Sequence, residues 1–208
     1  ETKELDQYLS KDEINLVFVN GSLSQELSSY KNLPQGLTIL PLSEALEKNQ
    51  TEIEKLLSRY ETKSENYFLS LNQALAQDGL FIRLDKNALV EKVIHILYVN
   101  HPGNQNAIFS HRNIIVGGKL SEATVLETHV SFSTNNTYLS NSLIDIYLED
   151  GAILHHTRAQ KESVNAFHIS NIRVWIERNA HFDGLSTMTG ATITRNDLNI
   201  VLNGEGGE

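Results

Sequence analysis

The feature that most restricts how this chain can fold is a repeat in its second half. "SLIDIYLEDGAIL" (142–154) lies over "SNIRVWIERNAHF" (170–182): alternating apolar residues, an acidic residue, a polar pair, a small residue, then another apolar strand. Ala123, Ala152 and Ala180 stand 29 and 28 residues apart, and Gly206 follows after 26. Coils stacked at about 4.8 Å per rung need such a period, because each must turn its corner above the last, where small residues fit. The period favours a parallel solenoid; an antiparallel sandwich, which also spaces its strands evenly, is the alternative.

The stretches between corners have strand character. "VIHILYV" (93–99), "RNIIVGG" (112–118), "ATVLETHVSF" (123–132), "SLIDIYLED" (142–150), "AILHHTRA" (152–159), "AFHISNIRVWIE" (166–177) and "ATITRNDLNIVL" (191–202) are short and β-branched, without the length or 3.6-residue period of a helix. Residues 1–79 read as mostly helical with brief extended pieces. "LVFVNG" (16–21) and "LTIL" (37–40) predict isolated strands, and "TEIEKLLSRY" (51–60) a helix opened by a Thr51/Glu54 capping box. Tyr67, Phe68, Leu71, Ala74 and Leu75 share one face of a spiral, which predicts a packed helix ended by Gly79. Beyond Gly79 the period is two, with Leu80, Ile82 and Leu84 expected inside and Phe81, Arg83 and Asp85 outside. The chain is expected to divide into an N-terminal region, 1–79, and a β-helix, 80–208, that stops in mid-pattern at "LNGEGGE".

The composition removes several functions. A formal charge of -9 offers no broad basic surface for nucleic acid, and no apolar run approaches the roughly 20 residues that cross a bilayer. With no cysteine there is no disulfide, thiolate metal site or cysteine nucleophile in this segment. Histidines are the conspicuous chemistry. Of the eight, His129, His155, His156, His168 and His181 fall in the repeat. Neighbours His155 and His156 must face opposite sides of a strand, and His168 or His181 aligned with one of them would make an imidazole stack suited to a divalent metal. Histidines hydrogen-bonded along a polar sheet face are the plainer reading, and no metal ligand is assigned. Asp145, Glu149, Asp150, Glu162 and Glu177 could supply an acid/base pair, but an acidic chain of alternating strands carries such carboxylates anyway. "VGGKLS" (116–121) lacks the earlier glycine of a phosphate loop and the Ser or Thr after Lys119, and no G-x-S-x-G elbow occurs. No catalytic residue is assigned and the chain reads as a non-enzyme. The alternative is a polysaccharide-acting or carbohydrate-binding β-helix, which requires an aligned Asp/Glu/Lys groove.

Three stretches resemble the SufB/SufD family of iron–sulfur cluster assembly proteins, SufD more than SufB. They are "YFLSLNQALAQDGLFIRL" (67–84), with its Leu-Asn-x-Ala core and glycine before a strand, "LHHTRAQKESVNAFHIS" (154–170), and "RNDLNIVLNGEGGE" (195–208). The matching positions His155, Gln160, Glu162, His168, Arg195, Gly204 and Gly206 are expected to have structural roles. The resemblance implies a right-handed parallel β-helix, a single-stranded solenoid, behind an N-terminal α/β region. It further implies a non-catalytic scaffold that pairs with a SufB-like paralogue and a SufC-like ATPase in the bacterial cytoplasm or plastid stroma. The iron–sulfur cluster would be handled by the complex and no cofactor bound by this segment. An open final coil would also favour a homodimer through β-helix edges.

Overall fold

The computed structural model describes residues 5–59, 66–76, 78–132 and 135–208. The strands are β1 (Ile14–Val19), β2 (Ser22–Leu23), β3 (Leu37–Pro41), β4 (Leu80–Leu84), β5 (Leu89–Asn100), β6 (Ala107–Gly117), β7 (Glu122–Ser131), β8 (Tyr138–Leu148), β9 (Ile153–Lys161), β10 (Ala166–Ile176), β11 (His181–Thr189) and β12 (Ile193–Leu202). They form two six-stranded sheets, β11-β9-β7-β5-β1-β2 and β12-β10-β8-β6-β4-β3. From β4 onward each coil gives one strand to each sheet, and every pairing between coils is parallel. This is a parallel β-solenoid, not the antiparallel sandwich. Register follows the repeat: Ser142 pairs Ser170, Leu148 pairs Ile176 and Ile153 pairs His181.

One set of corners is a ladder of left-handed residues: Asn87, Leu120, Gly151, Asn179 and Gly206, with φ of 61°, 57°, 69°, 54° and 72°. Each of the first four donates its N–H to the rung above, to the carbonyls of Lys119, Asp150, Arg178 and Glu205. Gly and Asn tolerate this conformation, whereas Leu120 adopts it at a steric cost of about 1–2 kcal/mol. The small residue follows the corner, as Ala88, Ser121, Ala152, Ala180 and Gly207. Two alignments read from spacing therefore shift. Glu122 pairs Ile153, so Ser121 and not Ala123 stacks below Ala152, and Gly206 lies over Asn179, one residue before Ala180. Early coils carry extra residues, which the even spacing of alanines concealed.

The strands expected to be isolated are rungs of the sheets. β1 runs parallel to β5 from Ile14↔Ile94 to Val19↔Val99, then turns through Asn20 and Gly21, both at positive φ, into antiparallel β2. β3 pairs antiparallel with β4. One core joins both sheets, with Leu16, Phe18, Ile39, Ile82, Ile96, Ile144, Val174 and their neighbours. β4 is buried on both faces: Leu80, Ile82 and Leu84 enter this core, while Phe81, expected outside, packs under helices.

Those helices are α1 (Leu42–Lys48) and α2 (Gln50–Ser58), whose Ala45, Ile53 and Leu56 cover Phe81, Ile114, Val116 and Tyr147. The Thr51/Glu54 capping box does not form. Asn49 joins the two helices, donating to Ala45 O and accepting from Ile53 N, so α2 has no free start at Thr51. Tyr60 lies outside the described residues.

α3 (Tyr67–Leu75) turns a different face inward from the one expected. Leu69 and Asn72 are buried, while Tyr67 is 86% exposed. A hydrogen-bonding asparagine overrides the apolar stripe: Asn72 Nδ2 reaches Ser110 Oγ at 3.2 Å, His111 O at 3.0 Å and Asn141 O at 2.9 Å. The Asn141 side chain returns a bond to Phe68 O. α3 also ends before Gly79, with Ala76 as its cap. The glycine serves close approach, because a Cβ there would fall on the Arg112 carbonyl. Gly79→Ala is expected to cost about 2–3 kcal/mol, lowering Tm by roughly 5–10 °C; an unchanged Tm would refute the packing argument.

Candidate functional site: the polar interior of the solenoid

Inward-facing positions change character along every coil. Near the corner ladder they are apolar: Ala123 and Val125 on β7, Ile144, Ile146 and Leu148 on β8, Leu154 on β9, and Ile172, Val174 and Ile176 on β10. Away from it the same faces carry Glu127 and His129, Ser140 and Ser142, His156, Arg158 and Gln160, and His168 and Ser170, each at most 3% exposed. Strand alternation places these side chains inside the coil, where a charge persists only if paired.

The pairing centres on Glu127. Its Oε2 accepts from Arg158 Nη2 at 2.7 Å and Nε at 3.0 Å, and lies 2.9 Å from His156 Nε2. Arg158 also donates to Ser170 Oγ in the opposite sheet. Burial alone would raise the Glu127 carboxyl, yet Arg158 and His156 hold it well below its ordinary value. A second pair stands at the rim. Glu162 Oε2 lies 2.7 Å from His168 Nδ1, and its Oε1 accepts from Asn100 Nδ2 and the Tyr138 hydroxyl. Burial opposes ionisation of Glu162, but His168, Asn100 and Tyr138 keep its carboxyl low. Between the pairs lies an aromatic group. Tyr98 stacks on His111 at 3.8 Å and on His129 at 4.5 Å, and its hydroxyl accepts from Asn113. Burial holds both imidazoles neutral, lowering His129 well below its usual value and His111 to about 3.

The sequence-derived positions separate into groups. Gln160, Glu162 and His168 face the interior; Gln160 Nε2 donates to Thr194 Oγ1 at 3.1 Å. His155 lies on the outer face, 3.4 Å from Asp183, while His156 is its inward neighbour. Arg195 is outside, paired with Asp197 and placed over the Phe68 ring. Gly204 and Gly206 pack the final corner against Arg178 and Asn179. His155 and His181 are neighbours on the outer face, ring centres 6.4 Å apart and edge-on, but His156 and His168 do not join them in a stack. His168 pairs in register with Ser140 and Thr194, and its imidazole neighbour is His129 across the interior. Among the described residues, no three His, Cys, Asp or Glu side chains are placed to hold a metal ion.

The five carboxylates do not assemble into a groove. Asp145 is buried on the outer face of β8 between Arg112 and Arg173, Glu162 is interior, Glu149 and Asp150 belong to a corner, and Glu177 bonds Trp175 and Asn203. In "VGGKLS", Lys119 pairs with Asp150 at a corner and β7 follows, not a helix.

Sequence reasoning missed Glu127, Arg158, His111 and Tyr98. A signal existed: His156, Arg158 and Gln160 alternate on one side of β9 in continuation of buried Leu154, so polar residues continue an inward face.

The comparisons with known proteins agree with this architecture. Residues 99–208 match the family model described as SUF system FeS cluster assembly, SufBD core domain, and residues 9–96 match the SufBD protein N-terminal region. An iron–sulfur cluster assembly SufBD family protein of Synechocystis sp. is 25% identical over 190 residues, 88% of this chain and 42% of the relative. The chloroplastic protein ABCI7 of Arabidopsis thaliana is 21% identical over 201 residues, 94% of this chain and 42% of its own length. A SufBD family protein of Staphylococcus aureus is 20% identical over 172 residues, 83% and 37% of the two chains. The chain thus spans about two fifths of the length of these curated relatives. With a parallel solenoid from β4 to β12 and the core domain matched over more than half of its residues, this chain belongs to the SufB/SufD family.

Proposed function

We propose that the chain is a SufD-type, non-catalytic scaffold in Suf-type iron–sulfur cluster assembly, working beside a SufB-like paralogue and a SufC-like ATPase. The observation that carries this reading is the core-domain match over 99–208, in a family whose description names cluster assembly. The cluster is handled by the complex and not by a cofactor site in this segment. The compartment follows the relatives, which come from bacteria and a chloroplast, as cytoplasm or plastid stroma. No helix among the described residues is long and apolar enough to cross a membrane. Among the described residues β11 and β12 are outermost strands of the two sheets. Pairing of their edges with a like strand belongs to the same reading.

The test is affinity purification of the chain, expressed in its natural reading frame with the SufB-like and SufC-like proteins of the same genome. Recovery of both in stoichiometric amounts is expected. Recovery of neither, from cells that contain both in soluble form, overturns the proposal.

A further inference from the structure

Several fully buried polar atoms in the solenoid face no hydrogen-bond partner among the described residues. They are both ring nitrogens of His129, Nε2 of His111 and of His168, the hydroxyls of Ser140 and Ser142, and Oε1 of Glu127. They belong to one region. The His129 ring centre is 4.8 Å from that of His168 and 5.8 Å from that of His111. Strand register sets Ser140 beside His168 and Ser142 beside His111, and Glu127 precedes His129 on the same inward side of β7. All six residues are at most 1% exposed.

Leaving so many buried polar groups unmet would rival the whole stability of a domain. Something small must meet them. Imidazoles and hydroxyls both donate and accept, so the occupant must do both at closely spaced points. The Glu127 carboxylate repels an anion, and the donors do not converge as a metal requires. Water fits, since buried waters typically make about three bonds to such groups. We propose that ordered water occupies this part of the solenoid, bridging His129 to His111, His168, Ser140, Ser142 and Glu127. Its connection to solvent runs through Glu162, which holds His168 and also lines an open cleft of about 460 Å³ together with Tyr8, Ser131 and Lys161.

Two-dimensional NMR on the unaltered 208-residue chain with ¹⁵N-labelled histidine tests this. Cross-peaks between the His129 ring and long-lived water are expected, and their absence overturns the proposal. His129→Phe gives an independent sign. If water is present, the phenyl ring displaces it and strands the other partners, so Tm falls. In a dry interior, replacing an unpartnered imidazole by a ring of similar shape leaves Tm unchanged or raises it. Glu162→Gln should slow deuterium exchange at the His129 ring nitrogens at least tenfold, and an unchanged rate overturns Glu162 as the route. If His129→Phe does not fold, the cross-peaks decide alone.

Discussion

Taking the protein from pH 7 to pH 5 will destabilise the fold, by about 2 kcal/mol for each buried histidine that stays neutral in it. His111 and His129 are the cause. Both are buried in the interior, and burial lowers their folded-state values, to about 3 for His111 and well below the ordinary range for His129. In the unfolded chain each titrates near 6.5. As the pH falls through that value the unfolded state takes up two protons that the folded state refuses. Stability is therefore complete above about pH 7 and declines below it, at roughly 1.4 kcal/mol per unit for each ring. His95 is shifted in the same direction, by burial against the opposing Glu13, and adds to the loss. Glu127 and Glu162 have lowered folded values, so their contribution disappears only at lower pH, as it falls through the unfolded carboxylate range toward their folded values. Urea unfolding at pH 7, 6 and 5 measures the effect as a falling midpoint at constant m. Replacing either histidine by phenylalanine should remove between about a third and a half of the slope. A midpoint that stays level between pH 7 and 5 would show that the buried rings take up protons in the fold as readily as in the unfolded chain.

The solenoid was legible because its determinant is periodic. The register of Ser142 over Ser170 follows from counting residues, since each rung must lie above the previous one. What depends on a single contact was not legible. Tyr67 completes an apolar stripe, yet α3 turns toward Asn72 because three backbone and side-chain acceptors on β6 and β8 wait for its amide. Gly79 has the look of a helix stop but is required by the Arg112 carbonyl, which lies far along the chain. The interior site was hidden for a related reason. Alternation reveals which residues share a face but not which face is inside, and the usual inference from polarity inverts when the inside is polar. Glu162 and His168 stand among the candidate carboxylates and histidines as well as the family-matching positions, whereas Glu127 and Arg158, both fully buried, are in none of these groups.

Arg158→Met should be the most damaging single substitution in the solenoid, at about 3–5 kcal/mol. The Glu127 carboxylate is fully buried and its ionised form rests first on Arg158, so removing the guanidinium leaves a charge with only His156 beside it. The bond from Arg158 to Ser170, which ties the two sheets together, is lost as well. Burial then dominates and the Glu127 value rises above that of the unfolded chain. The deficit relative to the unaltered protein should narrow as the pH is lowered and the carboxyl takes a proton. Adding Glu127→Leu to Arg158→Met removes the orphaned charge and should restore most of the stability, as apolar replacement of a whole buried pair commonly does. A double-mutant cycle by urea unfolding gives the coupling, expected to exceed about 2 kcal/mol. Coupling below about 0.5 kcal/mol would mean that Glu127 is already solvated or neutral. If the apolar pair matches or exceeds the native chain, stability cannot be why a charged pair sits inside this coil. The remaining reasons are to fix how the facing rungs align and to keep the interior polar enough to hold water beside His129.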